Sequence, residues 1–270
     1  MNNLPIKLGL IAGSGSGPVK VAQNANAAGV LVVSVILSKD NEEPLAALSE
    51  KSFSLGVGQT SKIIKALHRE EVKDIVLIGK IDKDVIFQKK AFDLRAIKLM
   101  AMMNRKDDSS FMRAIFGEFE KEGIRVLNQT LFLKDYMPAS GAIGKIKPGK
   151  AELKDMEFGF PIARKLADME IGQTIVVKDR TVVAVESMEG SDNAIKRGCG
   201  IAGKGAVIIK VSRPNQDWRF DVPTIGLKTI QTALEGRASV IAIESERILF
   251  LEKEEGTKLA DSGKLAVFAY

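Results

Sequence analysis

Three stretches carry residue types and spacings that could do chemistry. The first is Gly13-Ser14-Gly15-Ser16-Gly17-Pro18, which follows the apolar run Ile6–Ala12. A strand, a glycine-rich turn and a helix start in that order aim backbone N–H groups and the positive helix end at an anion. A dinucleotide fingerprint wants glycine at its first, third and sixth positions. Gly13 and Gly15 comply, but the sixth position is Pro18, and no Gly-Lys-Ser/Thr follows to make a Walker loop. The turn therefore suits phosphate or a sugar nucleotide better than NAD, with a plain tight turn as the equal alternative. The second stretch runs from Pro214 to Gly226 and holds Asp217 and Asp221, four apart, with Gln216 and Arg219. Two carboxylates suit a Mg²⁺ ion shared with substrate phosphates, because Mg²⁺ takes only one or two protein carboxylates in such sites. Val222 before Pro223 is held extended, and Pro223 suits a first helical turn, so Asp221 is expected at a helix entrance. The plainer reading is a capping Asp and a solvated Asp. The third stretch, Glu186 to Asp192, leaves a strand and enters a helix. Ser191 or Asp192 could cap that helix, or the stretch could form a second polar wall facing the Asp221 loop.

Composition narrows the chemistry. The 270 residues include one histidine, His68, and one cysteine, Cys199. These exclude a two-His metal site, a cysteine-based metal site and an internal disulfide, so an intracellular protein is expected. His68 is expected on the polar side of a helix, and Cys199, between two glycines, is given no role. Lys and Arg exceed Asp and Glu by 40 to 34, a scattered net charge of +6 without a block of five like charges. With 6% aromatics as well, neither a phosphate-binding stripe nor a base-stacking platform is indicated, and no nucleic-acid partner is expected. The longest uncharged stretch, Val21 to Ser38, contains Gln23, Asn24, Asn26 and Gly29, so no membrane span is expected. Met100, Met102 and Met103 could line an acyl-chain pocket, although helix packing is the plainer reading.

These residues need a frame. Ile6–Ala12, Val30–Leu37 and Asp74–Gly79 read as strands buried on both faces, separated by helical stretches to Ala28 and over Thr60–Arg69, with Ser38 to Pro44 as a polar loop. Strands alternating with helices imply a parallel sheet, here a Rossmann-like domain over residues 1–135. Residues 136–150, with Pro138, Gly141, Gly144, Pro148 and Gly149, form the expected linker. Residues 151–270 then read as an α+β domain. It opens with a helix from Ala151 to Asp168 and a hairpin through Asp179-Arg180. The strand Ala206–Val211, a helix from Pro223 to Glu235 and further strands follow. The fold class is α/β overall.

In this order the motifs resemble a known family. They are Leu8-Gly9-Leu10-Ile11-Ala12-Gly13-Ser14-Gly15 with Pro18, Gly58-Gln59, Val76-Leu77-Ile78-Gly79-Lys80, Gly172 to Val177, Val185-Glu186 through Gly190-Ser191-Asp192, and above all Arg213 to Asp217 through Asp221-Val222-Pro223-Thr224-Ile225-Gly226. Together they are similar to the LpxI family, UDP-2,3-diacylglucosamine pyrophosphatases of lipid A biosynthesis. The resemblance implies a metal-dependent hydrolase whose water attacks the α-phosphorus, releasing UMP and 2,3-diacylglucosamine 1-phosphate (lipid X). It implies substrate held between two domains, and the family's essential Asp falls on Asp221. On this reading Asp221, Asp217 and Gln216 are the catalytic candidates, with Asp221 and Asp217 also ligands for Mg²⁺ or Mn²⁺. Gly13, Ser14, Gly15, Gly79, Lys80, Glu186, Gly190, Ser191, Asp192 and Thr224 are the substrate-binding candidates. Ser191 stands where many members have Thr, which leaves the hydroxyl in place. The expected partners are an amphipathic nucleotide-sugar lipid, the inner-membrane surface in transient contact, and a second copy of the chain as a candidate. The expected location is cytoplasmic. A non-catalytic nucleotide- or lipid-binding protein is the alternative.

Overall fold

The structure is a computed structural model that describes residues 4–81, 92–101 and 108–270. The chain divides into two compact units, Met1–Leu133 with Trp218–Phe220, and Lys134–Asp217 with Asp221–Tyr270.

Unit 1 is built on β1 (Lys7–Ala12), β2 (Leu31–Ile36), β3 (Lys51–Ser54), β4 (Asp74–Ile78) and β5 (Arg125–Val126), all parallel in the order β3-β2-β1-β4-β5. The three apolar runs read from the sequence are its three central strands, buried because helices cover both faces of such a sheet. The helices are α1 (Gly17–Ala27), α2 (Glu42–Leu48), α3 (Thr60–Arg69), α4 (Leu94–Ala101) and α5 (Asp108–Lys121). Pro18 sits in the first turn of α1, as expected, and Ile63, Ile64 and Leu67 of α3 are buried. Two elements, α2 and β3, go beyond the expected polar loop at Ser38–Pro44. Glu42 and Glu43 favour the positive end of α2, and Pro44 falls in its first turn, where a missing N–H costs nothing. The strand β3 lies at the sheet edge with no buried face, so it has no hydrophobic signature. The short segment Trp218–Phe220 completes this core. Phe220 is buried and meets Phe116 edge-on at 5.7 Å, the Arg219 guanidinium lies 4.7 Å from the centre of the Phe116 ring, and Gln129 N–H donates to the Trp218 carbonyl at 2.8 Å.

Unit 2 holds β6 (Gly141–Ala142), β7 (Thr174–Lys178), β8 (Thr181–Val185), β9 (Val207–Lys210), β10 (Thr224–Ile225), β11 (Val240–Ile243), β12 (Leu249–Phe250) and β13 (Ala266–Ala269). Its main sheet runs β6-β13-β11-β9-β7-β8. The middle strands β13, β11 and β9 are parallel, while β6, β7 and β8 pair antiparallel, so the sheet is mixed. Side chains alternate across it with period two. Ile175 and Val177 pack with Met156, Phe160 and Ala163 of α6 (Lys150–Asp168). Val176 packs with Ile195 and Cys199 of α7 (Ser191–Ala202), and with Ile230 and Ala233 of α8 (Leu227–Glu235). The last helix is α9 (Lys253–Ser262). Among the described residues no helix is long and apolar enough to cross a membrane.

Two local expectations change. Helix α8 begins at Leu227 with Gly226 as its N-cap, so Pro223 is not in a helical turn. The β-branched pair Thr224-Ile225 instead extends and pairs with Leu249-Phe250, and the Pro223 carbonyl accepts from Leu249 N–H at 2.9 Å. Much of the stretch 136–150 is built into unit 2. Gly141-Ala142 pairs with β13, Ile143 is buried, and the N–H groups of Lys145 and Ile146 donate to Asp261.

Candidate functional site

Unit 1 brings Gly13, Ser14, Gly15, Gly79 and Lys80 together. Strand order reverses between β1 and β4, and ligands of open α/β sheets bind outside the carboxyl ends of strands at such a switch point. The two strands end in Gly13 and Gly79, and the backbones touch. A Cβ on Gly13 would lie 2.5 Å from the Lys80 carbonyl oxygen, and one on Gly79 would lie 2.7 Å from the Gly13 carbonyl carbon. Gly79 also has φ +102°, a conformation L side chains rarely adopt. The contact is stitched by Gly13 N–H to Ile78 O at 2.9 Å, Ser14 N–H to Lys80 O at 2.8 Å and Lys80 N–H to Ser14 O at 3.0 Å. The Ser14 hydroxyl also donates to Lys80 O at 3.1 Å. The Gly13 and Ser14 amides, expected to cradle an anion, are therefore occupied. The helix start that follows is what remains to face one, with Pro18 in its first turn contributing no N–H and Lys20 N–H donating to Ser16 O at 3.1 Å. Sequence reading missed Asn41, which is 4% exposed and donates from Nδ2 to Gly13 O at 2.6 Å and Gly15 O at 3.1 Å. This side chain, 28 residues away, fixes the curl of the glycine turn.

In unit 2 the Asp221 loop is held from two sides. Buried Gln216 donates from Nε2 to Asp221 O at 3.1 Å and to Asp217 O at 3.4 Å, so its amide ties together the backbones of both aspartates. Asp221 has φ +52°, in the left-handed region, and its side chain is 59% exposed. Its Oδ2 stands 3.7 Å from Arg213 Nη1. Asp221 does not cap a helix, so the plainer reading of that carboxylate fails. Thr224 opens β10 and donates its hydroxyl to Val222 O at 2.9 Å. Arg213, also missed, is anchored through its carbonyl, which accepts from Arg247 Nη2 at 3.0 Å. Arg247 further donates from Nε to Ser212 Oγ. Behind them Glu244, 7% exposed, accepts from Ser212 N–H at 2.8 Å and Oγ at 2.9 Å and pairs with Arg164 at 3.1 Å.

The Glu186 stretch forms its own cluster. Gly190, with φ +81°, is the N-cap of α7 without a side-chain cap bond, so neither Ser191 nor Asp192 caps. Ser191 Oγ donates to Glu186 Oε1 at 2.9 Å and accepts from Thr174 Oγ1 at 3.1 Å and Lys210 Nζ at 2.9 Å. Glu186 Oε2 accepts from Gln173 N–H at 3.3 Å. Asp192 pairs with Lys228 at 3.0 Å and accepts from Thr229 Oγ1 at 3.4 Å. Thr174 and Lys210 were missed. The signal was a lone lysine inside the apolar run Ala206–Val211.

The remaining candidates fall away. His68 lies 3.4 Å from Glu122 on a helix surface. Burial pushes the Cys199 thiol up to about 11, which leaves no thiolate near neutral pH. The methionines at 100, 102 and 103 fall outside the residues whose side chains are described. Among the described residues, no group of three or more His, Cys, Asp or Glu is placed to hold a metal ion. The donor set offered by the Asp221 loop is two hard carboxylates, which fits a Mg²⁺ ion completed by water and phosphate oxygens.

Comparison with known proteins follows the same division. The model of the LpxI N-terminal domain matches residues 7–136 and that of the LpxI C-terminal domain matches residues 139–268. A curated relative, UDP-2,3-diacylglucosamine pyrophosphatase LpxI of Caulobacter vibrioides, is 30% identical over 266 residues, 94% of each chain. Among solved structures, N5-carboxyaminoimidazole ribonucleotide synthetase from Thermotoga maritima is 16% identical with a TM-score of 0.25, over 70% of this chain and 43% of that one. A biotin carboxylase subunit of pyruvate carboxylase is 13% identical with a TM-score of 0.25, over 64% of this chain and 35% of that one. This chain spans less than half of either protein, and likenesses so slight carry no argument. With a family model on each half and a relative aligned nearly end to end, the chain belongs to the LpxI family.

Proposed function

We propose that this protein hydrolyses UDP-2,3-diacylglucosamine, with a divalent cation, to UMP and 2,3-diacylglucosamine 1-phosphate. The observation that carries the reading is the nearly end-to-end match to the UDP-2,3-diacylglucosamine pyrophosphatase of Caulobacter vibrioides. The gathering of motif residues into local clusters supports it, one around the switch point of unit 1 and two in unit 2, at the Asp221 loop and at the Glu186 stretch. In the reaction a water oxygen bonds to the α-phosphorus while the bridging P–O bond breaks. The bridging oxygen leaves with the sugar phosphate, and the water's proton passes to solvent.

Asp221 and Asp217 are the residues that would hold Mg²⁺ or Mn²⁺, and such an ion supplies charge neutralisation on the phosphoryl oxygens. Gln216 sets the spacing of the two aspartates by bonding both backbones. Arg213 places a fixed positive charge beside Asp221, suited to steadying a phosphate. In unit 1, Gly15 and the first turn of α1 offer amide donors to an anionic or sugar part of a ligand, Gly13 and Gly79 keep the turn flat, and Lys80 adds an exposed charge. Glu186, Gly190, Asp192 and Thr224 provide polar contacts for a sugar nucleotide, and Ser191 supports them. A lipid-linked substrate also implies transient docking at the inner-membrane surface from the cytoplasm, and a dimer is compatible with this reading.

The test is phosphorus NMR of the products formed in ¹⁸O-labelled water with Mg²⁺. The label is expected in UMP. Label in the sugar phosphate would move the attack to the β-phosphorus. Binding without turnover, with and without the cation, would favour a carrier of the same ligand.

A further inference from the structure

We propose that Lys210 is a positioning residue that acts through the Ser191 hydroxyl to fix the Glu186 carboxylate. This rests on the reading above and assigns a role to a residue that no motif marks. Thr174 and Lys210 are paired directly across antiparallel β7 and β9, so their side chains share a face of the sheet. Glu186 N–H donates to Thr174 O at 2.8 Å from the other side. Three neighbouring strands thus bring Glu186, Thr174 and Lys210 side by side at one end, under the first turn of α7.

Valence decides what Ser191 does there. A hydroxyl has one proton and two lone pairs. The proton goes to Glu186 Oε1 at 2.9 Å, and the lone pairs accept from Thr174 Oγ1 at 3.1 Å and Lys210 Nζ at 2.9 Å. A ligand could bind Ser191 only by displacing one of them, so Ser191 is a hub that orients Glu186. Lys210 is 9% exposed, and a buried ammonium is costly unless paired and hydrogen-bonded. Here its charge is joined to that of Glu186 through one shared oxygen.

The test is a set of variants assayed on UDP-2,3-diacylglucosamine with Mg²⁺: Lys210→Met, Ser191→Ala, their double, Ser191→Thr, and Lys210→Met in a Glu186→Ala background. Supporting groups of this kind cost about 10–100-fold when removed. Lys210→Met and Ser191→Ala are each expected to lose that much in kcat/KM, and the double no more than the worse single, because residues acting as one unit are non-additive. Ser191→Thr should restore most of the loss, and Lys210→Met should cost nothing further once Glu186 is gone. Losses that multiply, or a Lys210→Met within threefold of the parent, would overturn the role. If Lys210→Met does not fold, Ser191→Ala carries the comparison, since it cuts the link without removing the charge. A second readout needs no turnover. The ¹⁵N-lysine spectrum should show a slowly exchanging Lys210 ammonium in the parent whose shift and exchange rate change in Ser191→Ala. Its absence from the parent refutes the link, whereas its presence in a protein that does not turn over substrate refutes only the hydrolase reading.

Discussion

Asp221 sits in backbone geometry that most residues avoid. Asp and Asn tolerate the left-handed region better than other non-glycine residues, so the position accepts an acid without much strain. Asp221→Asn therefore separates charge from conformation, whereas Asp221→Ala also changes the backbone preference. Both are expected to cut turnover by about 10²–10⁴, on the order of the several kcal/mol that a bound cation's charge stabilisation is worth. Because the side chain is 59% exposed, the melting temperature of Asp221→Asn should stay close to that of the parent. Turnover within tenfold of the parent would remove Asp221 from the chemistry. The glycine turn at the end of β1 was legible in the sequence because it is a local pattern. Asn41, Thr174 and Lys210 were not, because they reach their partners through sheet register or a chain excursion of 28 residues. Lys210 did leave a mark, a charge at the end of a strand with no exposed face.

At the scale of elements, one carboxylate serves two helices. Asp93 Oδ2 accepts from Ser61 N–H at 2.7 Å, in the first turn of α3, and Oδ1 from Ala96 N–H at 2.9 Å, in the first turn of α4. Burial works to raise its pKa, and the Ala96 and Ser61 N–H groups outweigh it, holding the carboxyl below the ordinary 3.8. A lowered folded-state value means the charged form favours the fold. The stability is fully present above the unfolded-state value and is lost as pH falls through the folded one. Asp93→Asn keeps an acceptor and removes the charge, and should cost about 0.3–1 kcal/mol near neutral pH, the range for a negative charge at a helix N-terminus. The gap between the two melting curves should narrow as pH falls below the ordinary carboxylate range. A gap independent of pH would mean that packing, rather than charge, supplies the effect. The glycine turn gives a contrasting pair. Gly13→Ala would press a Cβ against the Lys80 carbonyl and should lower the melting temperature. At Gly15 there is open space but φ is +96°, so Gly15→Val should cost about 1–3 kcal/mol of backbone strain and raise KM. An unchanged KM in Gly15→Val would reduce the turn to a structural device. Elements with a buried face were legible in advance. Edge strand β3 and the two-residue strand β10 were not, because an exposed strand or one of two residues has no period to read.

At the scale of the molecule, the chain passes from one unit to the other three times, after Leu133, after Asp217 and after Phe220. Sequence reading placed one passage, near residues 136–150, and had no means of seeing the other two. Trp218–Phe220 is recognisable only by its packing, since Phe220 fills a core whose other members lie before residue 127. Phe220→Ala should remove about 3–5 kcal/mol, as for other buried Phe truncations, and the loss should appear in unit 1. Hydrogen exchange would locate it, with α5 amides losing protection before those of β9 and β11. Loss of protection confined to unit 2 would contradict the assignment. The same three residues limit how the halves can be exchanged between relatives. A chimera that takes residues 1–133 from a homologue inherits a pocket shaped for that homologue's counterpart of Phe220, carried more than eighty residues downstream. Grafts that move residues 218–220 together with the N-terminal half should recover the stability that simple halving loses.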